Sequence, residues 1–405
     1  MPEFAVLRSP ADVLFGVGMA AAAGPVAARH GTRVLVVTDP VIGATPGYAT
    51  VLDALRGAGL EIAEFGDAAV DVPMAVIDAA VAHGRAARPD VVVAVGGGSA
   101  IDLAKVTALL LAHPGPLSTY YGEHQVPGPI VPLIALPTTA GTGSEVTPVA
   151  VIGDPELGMK VGVSSPHLIP RTAICDPLLT RSCPPGVTAH SGIDALSHAI
   201  EAFMAVSRPA DWRLPLERVA VGKNGLSDAL ALVAIREIGA SLERAVSDGD
   251  DLEARTGMLY GSLAAGLAFA NAGVSAAHAL QFAVGAATGT PHGLGTGMLL
   301  PYVMAFNRPV REVALADIAA ALAPAEPEAD AVRLVHELGL RIGLPAALSE
   351  LDMSADAIDG MAEQAAGIRR LAGNNPRPLD AADCTEILRA AWHGDPTLLG
   401  EPAAA

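Results

Sequence analysis

The chain contains few cysteines and few aromatic residues. Cys175, Cys183 and Cys384 are the only cysteines among 405 residues, and none belongs to a Cys-x-x-Cys pair. This usage argues against a disulfide framework and against a cysteine-ligated zinc site, and it suits a reducing cytoplasm, where we expect the protein to reside. Aromatic residues make up 3% of the chain, too few for the base-stacking surfaces of single-strand nucleic-acid binders.

Positive charge and long apolar runs are also scarce. Against 43 Asp and Glu stand 25 Lys and Arg, which gives a net charge of −18. This excess opposes non-specific binding to nucleic acids and to anionic membranes, so we expect neither as a partner. The longest apolar stretches are interrupted by Lys105, His113 and Pro114, and none reaches the roughly 20 residues of a membrane span. The N-terminus has no basic region followed by an apolar core, so it predicts no secretory signal.

The first half of the chain alternates strand-like runs with Ala-rich helical segments. Such a βαβα pattern predicts a mostly parallel sheet covered by helices, with any ligand at the carboxyl ends of the strands. The strand candidates cover residues 32–39, 61–67, 89–98 and 130–141.

The sequence changes character after Pro184. Segments such as GIDALSHAIEAFMAV are long, rich in Ala and Leu and periodic for helices, while strand patterns almost vanish. We therefore predict an α/β domain over residues 1–183 and an all-α domain over residues 184–405.

A glycine-rich turn follows the strand pattern in VVVAVGGGSAIDLAK. Gly96, Gly97 and Gly98 allow the backbone to turn tightly and to approach a diphosphate. Ser99 is expected to cap the next helix, whose N-terminal amides favour an anion. This is not the GxGxxG fingerprint, and by itself the pattern fits a tight turn in any α/β protein equally well.

A second polar loop, PTTAGTGSEVT, follows the next strand pattern along the chain. Alone it fits a solvated loop, but two such loops at the ends of successive strands favour one shared ligand. Asp39 ends the first strand, where a carboxylate can accept both ribose hydroxyls and would repel a 2′-phosphate, which predicts NAD rather than NADP. The alternative is an Asp that initiates a turn before Pro40.

Four residues in the helical half predict a metal site. Asp194 and His198 are four apart in SGIDALSHAIE, which places them on one helix face, and His278 and His292 bracket a Gly-rich stretch. Singly, each histidine fits a packed or exposed structural residue, and His190 at the expected helix start is interpreted in that way. Together, three imidazoles and one carboxylate suit Fe²⁺ or Zn²⁺, and a metal beside a diphosphate cradle favours a dehydrogenase.

These motifs, together with NNPRPLD, stand in the order found in the iron-containing (group III) alcohol dehydrogenase family, which the chain resembles over essentially its whole length. The resemblance implies a Rossmann-like domain that binds NAD(H), a helical domain, a cleft between them, and a homodimer. It implies that a small alcohol or aldehyde is the substrate and that the metal is Fe²⁺, with Zn²⁺ as the alternative. It implies the metal ligands Asp194, His198, His278 and His292. It implies the cofactor contacts Asp39, Gly97, Gly98, Ser99, Thr138, Thr139, Thr147, Lys160 and Leu179.

The chain departs from the family pattern at Phe282. Family members commonly read HALAHPLGA where this chain reads HALQFAVGA, so Phe282 replaces a second histidine. In the family that histidine lies near the nicotinamide and is often assigned to proton relay. We therefore expect the relay here to use water, a ribose hydroxyl or another group, in a more apolar pocket.

A second departure is the basic pair in GIRRLAGNNPRP, where family members often carry an acidic residue near the position of Arg369. The segment before NNPR tends to line the substrate entrance in the family. The pair is therefore a candidate receptor for an acidic group on the substrate, against the alternative of a solvated helix end. Phe282, Arg370 and Leu371 are the candidate substrate residues.

Two other functions stay open at this stage. A zinc-dependent enzyme similar to glycerol dehydrogenase or dehydroquinate synthase would share the nucleotide half, although the Asp-x-x-x-His pair favours the iron type. A non-catalytic nucleotide-binding protein on the same fold would have no need for four polar residues in an apolar helical domain.

Overall fold

The computed structural model describes residues 4–157 and 159–399, which form two compact units. The α/β unit contains Arg8–Cys183 and the short segment Trp212–Val219. The helical unit contains Pro184–Asp211 and the described residues from Ala220 onward.

The strands belong to a six-stranded sheet and a three-stranded sheet in the α/β unit. Their bounds are β1 Asp12–Phe15, β2 Arg33–Val37, β3 Glu61–Phe65, β4 Val91–Gly96, β5 Gly122–Glu123, β6 Leu133–Pro137, β7 Val149–Asp154, β8 Met159–Ser164 and β9 Thr172–Cys175. The larger sheet is parallel throughout, in the order β1-β9-β6-β4-β2-β3. The smaller sheet has the order β5-β8-β7, with β7 and β8 antiparallel.

The helices cover both faces of the larger sheet and make up the helical unit. The α-helices of the α/β unit are α1 Ala23–Ala27, α2 Pro40–Gly43, α3 Pro46–Gly57, α4 Met74–Ala87 and α5 Gly98–Ala112, together with α7 Leu214–Glu217 further along the chain. Those of the helical unit are α6 Pro185–Met204, α8 Gly225–Ser247, α9 Leu252–Ala272, α10 Ala276–Thr288, α11 His292–Leu322, α12 Ala331–Arg341, α13 Ile358–Gly367, α14 Arg369–Ala372 and α15 Ala381–His393. Short 3₁₀ helices cover Met19–Ala22, Leu117–Tyr120, Pro166–Leu168, Pro177–Thr180, Leu348–Glu350, Ala355–Ala357 and Pro396–Leu399.

The central strands are continuous apolar runs because helices cover both of their faces. In β2, alternate side chains enter two separate cores. Leu35 and Val37 join the core that includes Val92, whereas Val34 and Val36 join the core on the other face. A strand with one wetted face would instead alternate apolar and polar residues.

The strand order reverses between β2 and β4. The chain passes from β2 to β3 on one side, and β4 then pairs with β2 on its other side. In open parallel sheets, ligands bind in the crevice beyond the carboxyl ends of the strands at such a reversal. The ends of β2 and β4 carry Asp39 and the three glycines, respectively.

The helical unit is organised around α6, which contacts α8, α9 and α11. Most of α6 is buried, including five polar residues in a largely apolar sequence. α11 carries Pro301 and Pro309, and its backbone leaves helical geometry at Arg311, as expected where prolines remove helical hydrogen bonds. No single described helix is long and apolar enough to cross a membrane, and only α9 and α10, bent by 101°, reach that length and composition as a pair.

The structure confirms the predicted fold class, a parallel sheet with helices followed by a helical region. All four predicted strands are present, as β2, β3, β4 and β6. Two local predictions are wrong. α6 begins at Pro185, so His190 lies inside the helix. Ser99 also lies inside its helix, because Gly97 is the N-cap of α5 and no side chain caps it.

Candidate functional site

Three buried polar residues of α6 share one face of that helix. Asp194, His198 and Glu201 follow one another at intervals of four and three residues, and their exposures are 3%, 6% and 2%. This spacing aligns side chains on adjacent helical turns. Polar groups at such depth are costly unless they find partners or ligands.

The three predicted histidine ligands converge on the fourth, Asp194. Its Oδ1 lies 3.7 Å from Nε2 of His278 and 3.7 Å from Nε2 of His292. Its Oδ2 lies 3.9 Å from Nε2 of His198. These separations are too long for hydrogen bonds. They are close to the roughly 3.4 Å between neighbouring ligand atoms of a tetrahedral metal whose bonds are about 2.1 Å.

Two atoms at this centre are buried without a hydrogen-bond partner among the described residues, Oδ1 of Asp194 and Nε2 of His278. Buried polar atoms in proteins nearly always have hydrogen-bond partners or ligands. Two buried atoms that face each other without such a partner therefore indicate a site for a ligand. Ligand atoms of Asp194, His278 and His292 lie within 4.8 Å of one another. Imidazole nitrogens and a carboxylate oxygen fit Fe²⁺ or Zn²⁺.

The electrostatics of the centre fit a cation. Burial raises the pKa of Asp194 to about 7, opposed by His278 and reinforced by Glu201. Burial acts to lower the pKa of His278, but the carboxylates of Glu201 and Asp194 raise it overall. Burial therefore disfavours the ionised form of Asp194, while two carboxylates favour the protonated form of His278. A bound divalent cation would reverse both preferences, favouring an ionised Asp194 beside a neutral imidazole.

Close approach of α11 to α6 places His292 at the centre. His292 is the first residue of α11 and follows Pro291. A Cβ atom added at Gly293 would lie 2.1 Å from the carbonyl oxygen of His190 and 3.0 Å from Cβ of Asp194. Only glycine therefore allows the start of α11 to pack against α6 at this point.

Aromatic rings surround the histidines. Phe269 stacks on His198 with ring centroids 4.1 Å apart and an interplanar angle of 15°. Phe282 lies beside His292 with centroids 5.9 Å apart. The structure thus brings the predicted substrate residue Phe282 next to a predicted metal ligand, with an apolar ring at the position of the family's second histidine.

The other two candidate substrate residues differ in environment. α14 packs against α10, the helix that carries His278. Arg370 is exposed, and its positive charge acts to lower the pKa of His278. Leu371 is buried, at 1% exposure, so its side chain contributes to packing.

In the α/β unit, the two predicted loops lie against each other. The backbone N–H of Thr138 donates to the carbonyl of Gly96 at 3.1 Å. A Cβ atom added at Gly97 would lie 3.5 Å from the Thr139 hydroxyl, and one added at Gly98 would lie 2.7 Å from Cγ2 of Thr142. The glycines let the loops approach, and no side chain caps the start of α5, which leaves its first turn open to an anion.

The geometry of Asp39 fits both interpretations of this residue, the turn-forming Asp and the ribose acceptor. Its Oδ1 accepts the N–H groups of Val41 and Ile42, each at 2.9 Å, so it caps α2 as a turn-forming Asp would. Its Oδ2 faces the glycine turn, 3.5 Å from where a Cβ of Gly96 would lie. One carboxylate oxygen is therefore occupied locally, and the other lies where β2 and β4 end.

A buried cation that the sequence analysis missed organises the second loop. Lys105 is fully buried, and its ammonium donates to Ser144 Oγ at 3.0 Å, to Thr147 Oγ1 and O at 3.1 and 2.9 Å, and to the Val149 carbonyl at 2.7 Å. Asp102 lies 3.8 Å away and accepts from Ser144 and the Val151 N–H. Burial lowers the pKa of Lys105 to about 8. The only sequence signal was a lysine in the apolar face of the helix.

The remaining predicted cofactor residues are placed as follows. Thr147 is 3% exposed with its hydroxyl bonded to Lys105. Lys160 pairs with Asp71 at 2.6 Å. Leu179 is 4% exposed and belongs to the core that contains Val34 and Val36. The structure therefore gathers Asp39, Gly97, Gly98, Thr138 and Thr139 at the strand ends, whereas it gives Thr147, Lys160 and Leu179 other contacts.

Comparison with known proteins identifies the family. Residues 10–177 match the model of the iron-containing alcohol dehydrogenase family, and residues 217–392 match the model of its C-terminal region. A long-chain-alcohol dehydrogenase of Geobacillus thermodenitrificans is 38% identical over 91% of this chain and 90% of its own length. A sulfoacetaldehyde reductase of Bilophila wadsworthia is 30% identical over 93% of this chain and 96% of its own.

A solved structure agrees with the sequence comparisons. The crystal structure of a 1,3-propanediol oxidoreductase superimposes with a TM-score of 0.89 at 31% identity, covering 96% of this chain and all of that one. The chain belongs to the iron-containing alcohol dehydrogenase family. It is an NAD-dependent, metal-dependent oxidoreductase that interconverts an alcohol and its aldehyde or ketone.

Proposed function

We propose that Asp194, His198, His278 and His292 hold Fe²⁺ and that the chain uses it, with NAD(H), on a small alcohol or aldehyde. The observation that carries the proposal is the orphaned pair, Oδ1 of Asp194 and Nε2 of His278, buried 3.7 Å apart. On this proposal, residues 1–183 bind the dinucleotide, and residues 184–405 bind the metal and the substrate.

The loop geometry supports the cofactor assignment. The glycine turn after β4 and the uncapped start of α5 suit a diphosphate. Asp39 offers Oδ2 as an acceptor for a ribose hydroxyl beside Gly96, and its charge disfavours a 2′-phosphate. The hydroxyl-bearing residues Thr138 and Thr139 line the same turn.

The chain contributes position and charge to the reaction. When bound, the metal and the nicotinamide supply a Lewis acid and a hydride carrier. Asp194 would offset the charge of the cation. Phe282 and Phe269 exclude water around the imidazoles. Because Phe282 has no group that can accept or donate a proton, the alcohol proton would leave through water, a ribose hydroxyl or another group.

Metal removal and replacement test this function. We expect chelation to abolish alcohol-dependent NADH formation and anaerobic Fe²⁺ to restore it, measured by nicotinamide absorbance with a panel of alcohols and aldehydes. Elemental analysis after anaerobic purification identifies the resident metal. Because Zn²⁺ outcompetes Fe²⁺ for such ligands, each reconstituted form is assayed separately. Higher activity with Zn²⁺ would favour the zinc-dependent alternative, and inactivity with every metal and substrate would favour a non-catalytic nucleotide-binding protein.

Arg370 supports a narrower proposal, that the substrate carries an acidic group. Arg370 is exposed, lies on a helix packed against α10, and is close enough to His278 for its charge to oppose the carboxylates that raise the pKa of that histidine. A planar guanidinium binds carboxylates and sulfonates through paired hydrogen bonds. The resemblance to a sulfoacetaldehyde reductase supports the same substrate class.

Replacing Arg370 should change substrate preference. In Arg370→Ala we expect the ratio of kcat/KM for an acid-bearing aldehyde to kcat/KM for a neutral aldehyde of the same length to fall about tenfold or more, because a charge-assisted hydrogen bond contributes roughly 1.5–3 kcal/mol. Arg369→Ala removes the same charge from the adjacent exposed position and is the control. An unchanged ratio in Arg370→Ala, or an equal fall in Arg369→Ala, would contradict the acidic-substrate proposal.

Two further features belong to the proposal: the family resemblance supports a homodimer, and the low cysteine content supports a cytoplasmic location. Light scattering of the purified chain measures the first, and fractionation of the source cells measures the second.

A further inference from the structure

Glu201 is a buried acid that the proposed ligand set does not use. It is 2% exposed and lies seven residues after Asp194 on α6. Its Oε1 accepts from the Ser275 hydroxyl at 3.0 Å and from the Ala277 N–H at 2.7 Å. Its Oε2 lies 2.5 Å from Nδ1 of His278. One carboxylate thus contacts three groups at the start of α10.

The chemistry of these partners fixes their roles. A carboxylate only accepts, so Nδ1 of His278 carries a proton and donates a hydrogen bond to Glu201. The neutral ring then carries its lone pair on Nε2, which lies 3.7 Å from Asp194 Oδ1. Metal-binding histidines commonly donate their other nitrogen to a carboxylate, which selects the tautomer and the ring orientation.

The backbone before His278 is held as well. Ser275 does not cap α10 with its own side chain, and Glu201 takes the N–H of Ala277 instead. In the connection between α9 and α10, Gly273 has φ of 82°, and the Asn374 amide donates to the carbonyls of Ala272 and Val274 at 3.0 and 3.1 Å. The start of α10 is therefore fixed from both α6 and the NNPR motif.

We propose that Glu201 is a positioning residue that holds His278 in the Nδ1–H tautomer, so that Nε2 is free to bind the metal. The inference rests on the proposed metal site. It assigns to Glu201 a contribution to metal affinity that is separate from its contribution to packing.

Glu201→Gln tests the tautomer directly. The three partners need two accepting oxygens, and glutamine offers one oxygen and one NH₂ group. If the NH₂ group faces His278, it donates to Nδ1 and forces the ring proton onto Nε2. If the NH₂ group faces Ala277 instead, two N–H donors oppose each other. We expect Co²⁺ and Zn²⁺ to bind Glu201→Gln about 10–100-fold more weakly than wild type, measured by chelator competition. The Co²⁺ d–d absorption bands should also change, because His278 is displaced as a ligand.

Ser275→Ala is the matched control. It removes one hydrogen bond to Glu201 but leaves the carboxylate on Nδ1, so its metal affinity should stay within about threefold of wild type. Thermal unfolding of the metal-free proteins measures how far each substitution disturbs packing, separately from its effect on metal affinity. Affinity of Glu201→Gln within threefold of wild type would overturn the proposal, as would an equal loss of affinity in Ser275→Ala.

Two further outcomes are distinguishable. If Glu201→Gln fails to fold, Glu201→Asp replaces it, because withdrawing the carboxylate by one methylene lengthens its contact with Nδ1. Weaker metal binding by Glu201→Asp then supports the proposal, and unchanged binding overturns it. Failure of the wild-type chain to bind any of these metals would instead refute the proposed function on which the inference rests.

Discussion

Asp194→Asn should lower kcat by about 10³-fold or more while NADH binding is unchanged. Asparagine matches aspartate in shape but lacks the charge that offsets the cation, and its NH₂ group opposes a metal. A Lewis-acid metal contributes several kcal/mol to such a reaction, and about 4 kcal/mol corresponds to 10³-fold in rate. The variant should also bind Fe²⁺ weakly, since Asp194 Oδ1 lies 3.7 Å from Nε2 of both His278 and His292.

Steady-state NADH oxidation measures kcat, elemental analysis measures the bound Fe²⁺, and NADH fluorescence measures cofactor binding. Ser197→Ala on the same helix is the control, because Ser197 is buried and, among the described residues, its hydroxyl donates to the carbonyl of Ile193 as an ordinary helical serine does. NADH binding should survive in Asp194→Asn because the proposed dinucleotide residues belong to the α/β unit. Loss of NADH binding together with turnover would contradict this division of roles.

Lys105→Met should destabilise the α/β unit by about 3–5 kcal/mol, the usual cost of removing one partner from a buried ion pair. Methionine fills a similar volume but donates no hydrogen bond. Asp102 would lose its cation, and the carbonyls of Thr147 and Val149 would lose their donor. Because the β4 and β6 loops pack together, we also expect weaker NADH binding.

Lys160→Met provides a matched control for this prediction. Lys160 also pairs with an aspartate, Asp71, at 2.6 Å, but its side chain is 35% exposed, and exposed pairs contribute roughly 0–1 kcal/mol. Differential scanning calorimetry should show a fall in Tm of about 10 °C for Lys105→Met and little change for Lys160→Met. Equal shifts in the two variants would show that burial does not determine the strength of the Lys105 network.

Adding Asp102→Asn to Lys105→Met should recover part of the lost stability. The double variant no longer buries an unpaired carboxylate, so its free energy of unfolding should exceed that of Lys105→Met alone. A further loss of stability would place the main cost in the missing hydrogen bonds to the loop rather than in the charge of Asp102.

The grouping of the proposed metal ligands could be predicted from the sequence in part, because the spacing of Asp194 and His198 has a direct structural meaning. Asp194 and His198 are four apart on a helix, and the structure places His292 at the start of a helix directly after Pro291. Glu201 could have been found by the same reasoning, since it continues that helix face. Its partner Ser275 could not, because hydrogen bonds between α6 and α10 join positions 74 residues apart.

In the nucleotide loops, by contrast, the sequence did not indicate the contacts of individual side chains. Local pattern predicted the strands and the glycine turn, but Ser99 was assigned a capping role that the structure does not give it, since the helix begins at Gly98. The three glycines carry no side chain to mark where the helix starts. Likewise, nothing in the residues around Thr147 indicates that Lys105, 42 positions earlier, uses its hydroxyl.

By itself, the sequence determined the alternation of buried strands and helices, the change to an all-helical region near Pro184, the lack of basic charge, and the residue types able to hold a divalent metal. These properties depend on local periodicity and composition, which neighbours along the chain define. Only the tertiary structure decided which polar groups meet: the orphaned Asp194–His278 pair, the carboxylate behind His278, and the lysine beneath the second loop. Such contacts join distant segments, and their geometry follows from how closely helices and strands pack.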